Sequence, residues 1–435
     1  MRRKLFVLSM DAMVHEDVAR MMQKPNFARI MNKHAEVNHV LSVYPASTYP
    51  AHTMLMTGCS PAKHGVWANF PLKVENDGIA HWPLYHKLID VEDLFAAAKR
   101  VGCTTASVYW PITGCNPNID HVINEYFFYY PDESKDVEGV FRRMGADDVA
   151  IQAVRENMDR FPFERHGALA MDSLFDNFIN GCACSLIRSA QPDVLLVHNC
   201  WLDSLRHANG IFADRVISAL DDMDAWLGEI IAAMEDAGVY DDTDFVILSD
   251  HGQREYSRVI HLNVLLKQGG FIDIAPNDTI YDWRAFAQSN GQSATVYLAN
   301  DQSPVLYERV KAYLESLKND EQYGIEAVYT REELREKYGQ NGPYTFMVEA
   351  KDGTAFSGVL DVDAVVPLAE GVIKAGHGYE PHKGPQPIFL ASGASFKDGA
   401  VVENAQLIDI APTLAAVLGA DLPQAEGRIL HELLK

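Results

Sequence analysis

Short apolar runs bounded by polar turns alternate along this chain with longer amphipathic stretches. Leu5–Met10, Asn38–Tyr44, Thr104–Tyr109 and the runs beginning at Val194 and Phe245 are short and apolar, as strands buried in a parallel sheet are. Helical spacing falls between them, at Pro25–Ala35, Val91–Val101 and Met171–Ala190. The best-marked helix is Ala213–Ala237, where Val216, Ile217, Leu220, Met223, Leu227, Ile230, Ile231 and Met234 form one face and Gly238 closes it. It joins the Val194 run to the Phe245 run, which predicts a crossover and a parallel pair. Ala46–Gly58 reads as a loop entering a short helix, with Pro50 in its first turn and Gly58 at its stop. Asn116–Asp148, aromatic, acidic and without clear period, reads as a surface excursion. From about Asp273 the character changes to alternating runs (Ala294–Leu298) and a charged helix (Ser303–Leu317), a small α+β insert. Pro387–Ser392 reads as a return strand and Asp409–Gly419 as a final helix.

The expected fold is α/β: a mostly parallel central sheet flanked by helices, with a catalytic core over residues 1–272 and 367–435 and an α+β cap inserted over 273–366. With 435 residues, 48% of them hydrophobic, the chain can bury a core of that size. A net charge of −23 argues against duplex nucleic acid or an anionic membrane as partner. Six cysteines (Cys59, Cys103, Cys115, Cys182, Cys184, Cys200) match no zinc-ribbon spacing and read as free thiols. The Met1–Lys4 start runs straight into an apolar stretch too short for a signal peptide, and no segment has the length of a membrane span. The expectation is a cytoplasmic protein; the sequence leaves the oligomeric state open.

Three aspartates stand just past apolar runs: Asp11, Asp203 and Asp250. Open α/β sheets build sites beyond the carboxyl ends of their strands, where three such acids would repel one another unless a cation sat among them. His207 follows Asp203 by four residues, one helical turn, and His251 follows Asp250 directly. Carboxylates with imidazoles suit a transition metal, zinc being the common choice. Thr48, entering a helix, is otherwise an ordinary helix-start hydroxyl; beside a metal it becomes a nucleophile near backbone N–H groups that can hold an anion.

In order, Asp11, Tyr44-Pro-Ala-Ser-Thr48-Tyr-Pro-Ala-His-Thr-Met-Leu-Met-Thr-Gly58, Pro61-Ala-Lys-His64-Gly65, Asn69, Asp203-x-x-x-His207, Ser249-Asp250-His251-Gly252 and Gly376-His377-Gly378-Tyr379 resemble the nucleotide pyrophosphatase/phosphodiesterase (type I phosphodiesterase) branch of the alkaline phosphatase superfamily. The resemblance spans residue 5 to about 420 without the insert. It implies two divalent metals, zinc first with manganese or iron as alternatives, one held by Asp11, Thr48, Asp250 and His251, the other by Asp203, His207 and His377. It implies that Thr48 is the nucleophile, forming a phosphothreonine that water hydrolyses, and that Asn69 donates to a phosphoryl oxygen. The family gives His52 no base role and makes His64 a structural turn. His198 reads as a satisfied strand histidine, His261 as a surface one, and His382 as a neighbour of the site. Tyr85, His86 and Tyr126–Tyr130 are candidates for a leaving-group pocket. The chain departs from the family at Thr48-Tyr-Pro-Ala and at Gln253, which leaves every ligand in place.

The implied function is a hydrolase of phosphodiester or pyrophosphate bonds in small nucleotide-like substrates. The alternative is a phosphomonoesterase or phosphonate (phosphonoacetate-like) hydrolase with the same site, which would call for a strong cation such as Arg206 against the extra charge. The nucleophile loop lacks the Cys/Ser-x-Pro-x-Arg pattern of sulfatases. The insert, by its position, is expected to cover the site and select the leaving group.

Overall fold

A computed structural model describes residues 3–74, 82–130, 132–163, 173–275, 280–360, 362–368 and 374–435. Among these, eight strands form the central sheet, in the order Val401–Gln406, His34–Leu41, Phe389–Ser392, Thr243–Leu248, Lys4–Met10, Val194–Asn199, Thr105–Val108, His121–Ile123. Every neighbouring pair is parallel except those made by Phe389–Ser392, which runs antiparallel to both flanking strands. The return strand is therefore present and is the one reversed member of the sheet.

The helix Asp214–Asp236 makes the expected crossover, and the two strands it joins run in one direction. They are not adjacent: Lys4–Met10 lies between them and pairs with both. That strand is buried along nearly its whole length, so the apolar run that could pass for a leader is the sheet's centre. The helix buries Val216, Leu220, Met223, Leu227, Ile230, Ile231 and Met234 against the helices Ser173–Ser189 and Pro25–Ile30. Burial of each such side chain is worth about 1.5–3 kcal/mol, so a polar substitution at Leu227 or Ile230 would be felt. Asp224, on the same helix, accepts the backbone N–H groups of Asn26 and Phe27, which satisfies first-turn donors of the Pro25–Ile30 helix.

Two boundaries shift. The helix from Pro25 ends at Ile30, and Ala35 already belongs to the strand His34–Leu41, several residues ahead of the expected Asn38–Tyr44. The Asn116–Asp148 stretch is not a surface excursion. It supplies the edge strand His121–Ile123 and the helix Val137–Arg143, and it buries Ile119, Phe127, Phe128, Val140 and Phe141 in the main core. Its aromatic packing has no strand or helix period, which is why it reads as loop. The helix expected from Met171 is described from Ser173, its first two residues lying outside the described range.

A second sheet, all antiparallel, runs Ala285–Ser289, Ser293–Leu298, Phe346–Ala350, Ile325–Thr330. The helix Pro304–Lys318 packs Val310, Leu314 and Leu317 into the core beneath it, which also draws on Ile260, Leu262, Leu265 and Leu266. The strand Arg254–His261 leads directly out of the Asp250–His251 segment and pairs with Ala375–Gly376, just before His377. One strand thus ties two of the predicted ligand segments together.

Candidate active site

Asp11, Thr48, Asp250 and His251 meet at the carboxyl ends of the central strands. Asp11 directly follows Lys4–Met10 and donates its N–H to Asn199 O at 2.9 Å. Asp250 follows Thr243–Leu248 by two residues, and Ser249 Oγ ties that turn to Met13 O at 2.6 Å. Each carboxylate has one oxygen occupied and one free. Asp250 Oδ1 accepts from Ala12 N at 3.2 Å and Asp11 Oδ2 meets His198 Nε2 at 3.2 Å, whereas Asp250 Oδ2 and Asp11 Oδ1 are buried with no hydrogen-bond partner. Those two orphaned oxygens lie 3.2 and 3.6 Å from His251 Nε2, and Thr48 Oγ1 lies 3.2 Å from the same nitrogen. Ligand atoms about 2 Å from a tetrahedral ion sit at separations of roughly this size. Burial first, then Asp250 and Asp203, push the Asp11 carboxyl well above its ordinary range. A cation among them would relieve that repulsion, so the residues fit a metal.

The second group is Asp203, His207 and His377, whose ligand atoms lie close enough together to share an ion. Asp203 is not at a strand end but in the first turn of the helix Trp201–Asn209, and His207 is one turn on, with Nε2 3.2 Å from Asp203 Oδ2. His207 Nδ1 faces Ala375 O at 2.7 Å and His377 Nδ1 faces Ala46 O at 3.0 Å. With Nδ1 donating to a backbone carbonyl, each ring would offer the Nε2 lone pair to a metal, the tautomer a ligand needs; without one, His207 Nε2 faces Asp203, which raises the pKa of the ring. Burial lowers His251 to about 4 and, with His251 adding to it, His377 to about 3. Burial opposes the charge of Asp203, yet His207 at one turn's distance draws its pKa below the ordinary value.

The loop carrying His377 is clamped from two sides. Gly378 N donates to Ala46 O at 2.7 Å and Gln292 N to His377 O at 2.9 Å. Gly378 has φ +87, and a Cβ there would stand 1.8 Å from Asn290 O, so both its conformation and the approach of the second sheet require glycine.

Thr48 opens the helix Thr48–Thr57, which stops at Gly58. The expected cluster of helix-start donors is mostly consumed. Tyr49 N donates to Asn69 Oδ1 at 2.9 Å, Pro50 has no N–H, and Ala51 N bonds Ser47 O at 3.1 Å. Thr48 N–H is what this turn has left to offer an anion, together with the Asn69 amide nitrogen, whose own oxygen is occupied. His52 is no base for Thr48: its Nδ1 meets the Thr48 carbonyl and its Nε2 meets Ser9 Oγ, each at 2.8 Å, and burial drives its pKa down to about 3.

The other candidates have partners of their own. Arg206 does not face Thr48; fully buried, it donates to Ala12 O and Asp17 Oδ2 and clamps the turn after Asp11. His261 is not a surface residue but buried, with Nδ1 2.9 Å from Asp363 O. His64 Nδ1 accepts from Val66 N at 3.1 Å, the expected turn. His382 is exposed beside Glu380. His86 reaches Asp93, Tyr85 bridges Gly114, Phe127 and Phe128 are core, and Tyr126 donates to Glu133.

His198 is, as expected, a strand histidine with partners, but its partners and those of Gln253 were not foreseen. Gln253 Nε2 donates to Asp203 through both its carbonyl and its carboxylate, so the departure after Gly252 has a local use. His198, fully buried, links Asp11 to Glu125, with Nδ1 3.6 Å from Glu125 Oε1. No spacing rule connects Glu125 to His198; a histidine one strand over from Asp11 was the available signal.

The central sheet flanked by helices has an alkaline phosphatase-like fold. Residues 5–380 match the type I phosphodiesterase / nucleotide pyrophosphatase family, and the chain belongs to that family. Among curated relatives, it is 23% identical over 278 residues to bis(5'-adenosyl)-triphosphatase enpp4 of Xenopus laevis, covering 63% of this chain and 53% of that protein. It is 21% identical over 433 residues to ectonucleotide pyrophosphatase/phosphodiesterase family member 1 of Rattus norvegicus, covering 94% and 40% respectively. The chain thus spans about half the length of these relatives or less. Human ectonucleotide pyrophosphatase/phosphodiesterase 5 superposes with a TM-score of 0.68 at 19% identity, and the murine protein with 0.64 at 18%, each covering 100% of both chains. The murine protein has also been solved as an inactive threonine-to-alanine variant in complex with AMP. Among the described residues no helix is long and apolar enough to cross a membrane.

Proposed function

We propose that the protein hydrolyses phosphodiester or pyrophosphate bonds of small nucleotide-like substrates, with Thr48 as nucleophile. The observation that carries this is the position of Thr48 Oγ1, 3.2 Å from His251 Nε2 and beside two orphaned carboxylate oxygens. Asp11, Thr48, Asp250 and His251 would hold one divalent metal and Asp203, His207 and His377 another; the mixed carboxylate and imidazole donors suit zinc, with manganese or iron as substitutes. Bound there, such ions supply Lewis acidity that lowers the pKa of a hydroxyl and offsets phosphoryl charge.

The chain's own residues do the rest. The Thr48 hydroxyl loses its proton to solvent, its oxygen attacks phosphorus as a P–O bond forms, and the opposite P–O bond breaks, its electron pair leaving on the departing oxygen, which takes up a proton from solvent as needed. Thr48 N–H and the Asn69 amide donate to a non-bridging oxygen where charge builds. Water then displaces Thr48 from phosphorus and restores the hydroxyl. The murine relative inactivated by a threonine-to-alanine change and holding AMP supports a nucleotide substrate and a threonine nucleophile. Arg206, committed to Asp17 and Ala12, is not placed to pair with the additional charge of a monoester, which supports diesters. The second sheet, gripping the His377 loop through Asn290–Gln292, is the unit we assign to leaving-group selection, within a cap over residues 273–366.

The test is turnover of p-nitrophenyl thymidine monophosphate against p-nitrophenyl phosphate and phosphonoacetate by zinc- or manganese-loaded protein. The expected result is a preference of at least about 10-fold for the diester, or about 1.4 kcal/mol in the transition state. Preference for either of the others would reject the reading.

A further inference from the structure

We propose that His198 is a positioning residue that fixes Asp11 from behind, and that Glu125 braces His198 and the start of the nucleophile helix together. The proposal rests on the two-metal reading above. It is carried by a continuous run of buried contacts. Tyr49, the residue after Thr48, donates its hydroxyl to Glu125 Oε2. Glu125 Oε1 lies 3.6 Å from His198 Nδ1. His198 Nε2 lies 3.2 Å from Asp11 Oδ2, and its Nδ1 lies 3.3 Å from Tyr109 O. Tyr49 and His198 are fully buried, and Glu125 and Asp11 nearly so.

The consequence is geometric. Asp11 and Thr48 come from different elements, a strand end and a helix start, yet both face His251 Nε2. A carboxylate with two free oxygens could turn about its own bond and present either, or both. His198 takes Oδ2, so Oδ1 is the oxygen left for the site. Glu125 meets the tyrosine next to Thr48 with its other oxygen, so the helix start and Asp11 are referred to one rigid group. Partners behind a metal ligand of this kind change affinity by about 10- to 100-fold when removed. The run is specific to one site: Asp203, His207 and His377 take their supports from Gln253, Ala375 and Ala46.

The experiment is zinc binding to the full-length protein, by competition dialysis and elemental analysis, with cobalt absorption spectra as a readout of ligand geometry. For His198→Ala the expected result is about 10- to 100-fold weaker binding at one site, a changed cobalt spectrum, and a second site at wild-type affinity. His198→Gln, which can still offer an N–H to Asp11, should recover most of that loss. Wild-type affinity for both metals in His198→Ala would overturn the proposal while leaving the two-metal reading intact. A wild-type chain that binds fewer than two metals would overturn both. Should His198→Ala fail to fold, Glu125→Gln, nearly isosteric, carries the test: weakening at the same single site supports the brace, and unchanged binding overturns it.

Discussion

The rings of His251 and His377 stack with centroids 4.2 Å apart and planes 28° from parallel. His251 belongs to the group with Asp11 and Asp250, His377 to the group with Asp203 and His207. The two groups therefore share a wall. Both rings are neutral well below pH 7, which is the form that binds metal.

Gln253 holds Asp203 through two acceptors. In Gln253→Ala, zinc affinity at the Asp203–His207–His377 site should fall about 10-fold, with affinity at the other site unchanged. Equilibrium dialysis with elemental analysis measures both. Equal weakening of the two sites would show that the amide supports the whole wall and not Asp203 in particular.

Arg206 and Asp17 form an ion pair in which both side chains are almost fully buried. Replacing Arg206 with Met leaves the Asp17 carboxylate buried without its partner, which costs about 3 kcal/mol or more. Urea unfolding should show that loss. The ratio of diester to monoester turnover should not change, because Arg206 supports the turn after Asp11 and does not reach substrate. A shift of that ratio would place the guanidinium in the site.

The meeting of Asp11, Asp250 and His251, and of Asp203, His207 and His377, could be read in part from where apolar runs end and from helical spacing. Asp11 and Asp250 follow apolar runs whose burial is obvious, and His207 follows Asp203 by one helical turn. The support behind them could not be read. Arg206 looked like a free cation between two ligands, and its commitment to Asp17 and Ala12 depends on how the helix Trp201–Asn209 lies over the first strand's turn. The Asn116–Asp148 stretch carried a sheet edge and core aromatics without either period. The middle of the crossover also hid its partner: sequence order joins the Val194 and Thr243 strands, while the sheet places the chain's first strand between them.

Four buried histidines titrate low: His52, His64 and His377 at about 3 and His251 at about 4, with burial the leading cause at each. Their folded values lie below the unfolded value of 6.5, so between about pH 6.5 and 3 these groups bind more protons in the unfolded chain than in the folded one. These groups cost nothing above pH 6.5 and progressively subtract stability as pH falls through that window. Asp11, His198 and His207, whose folded values are raised, act in the opposite sense, so the contribution is read ring by ring: metal-free His64→Gln, if folded, should lose less melting temperature between pH 7 and pH 5 than metal-free wild type. An equal loss of melting temperature in folded His64→Gln and wild type would contradict the neutral assignment of that ring.

The most direct measurement is turnover of p-nitrophenyl thymidine monophosphate by metal-loaded wild type and by Thr48→Ala, with metal content verified in both. Wild type should be active, and Thr48→Ala should lose at least about 10³-fold in kcat, or about 4 kcal/mol of transition-state stabilisation, while still carrying the Asp203-site metal. Activity in Thr48→Ala within 10-fold of wild type would contradict a covalent route through Thr48.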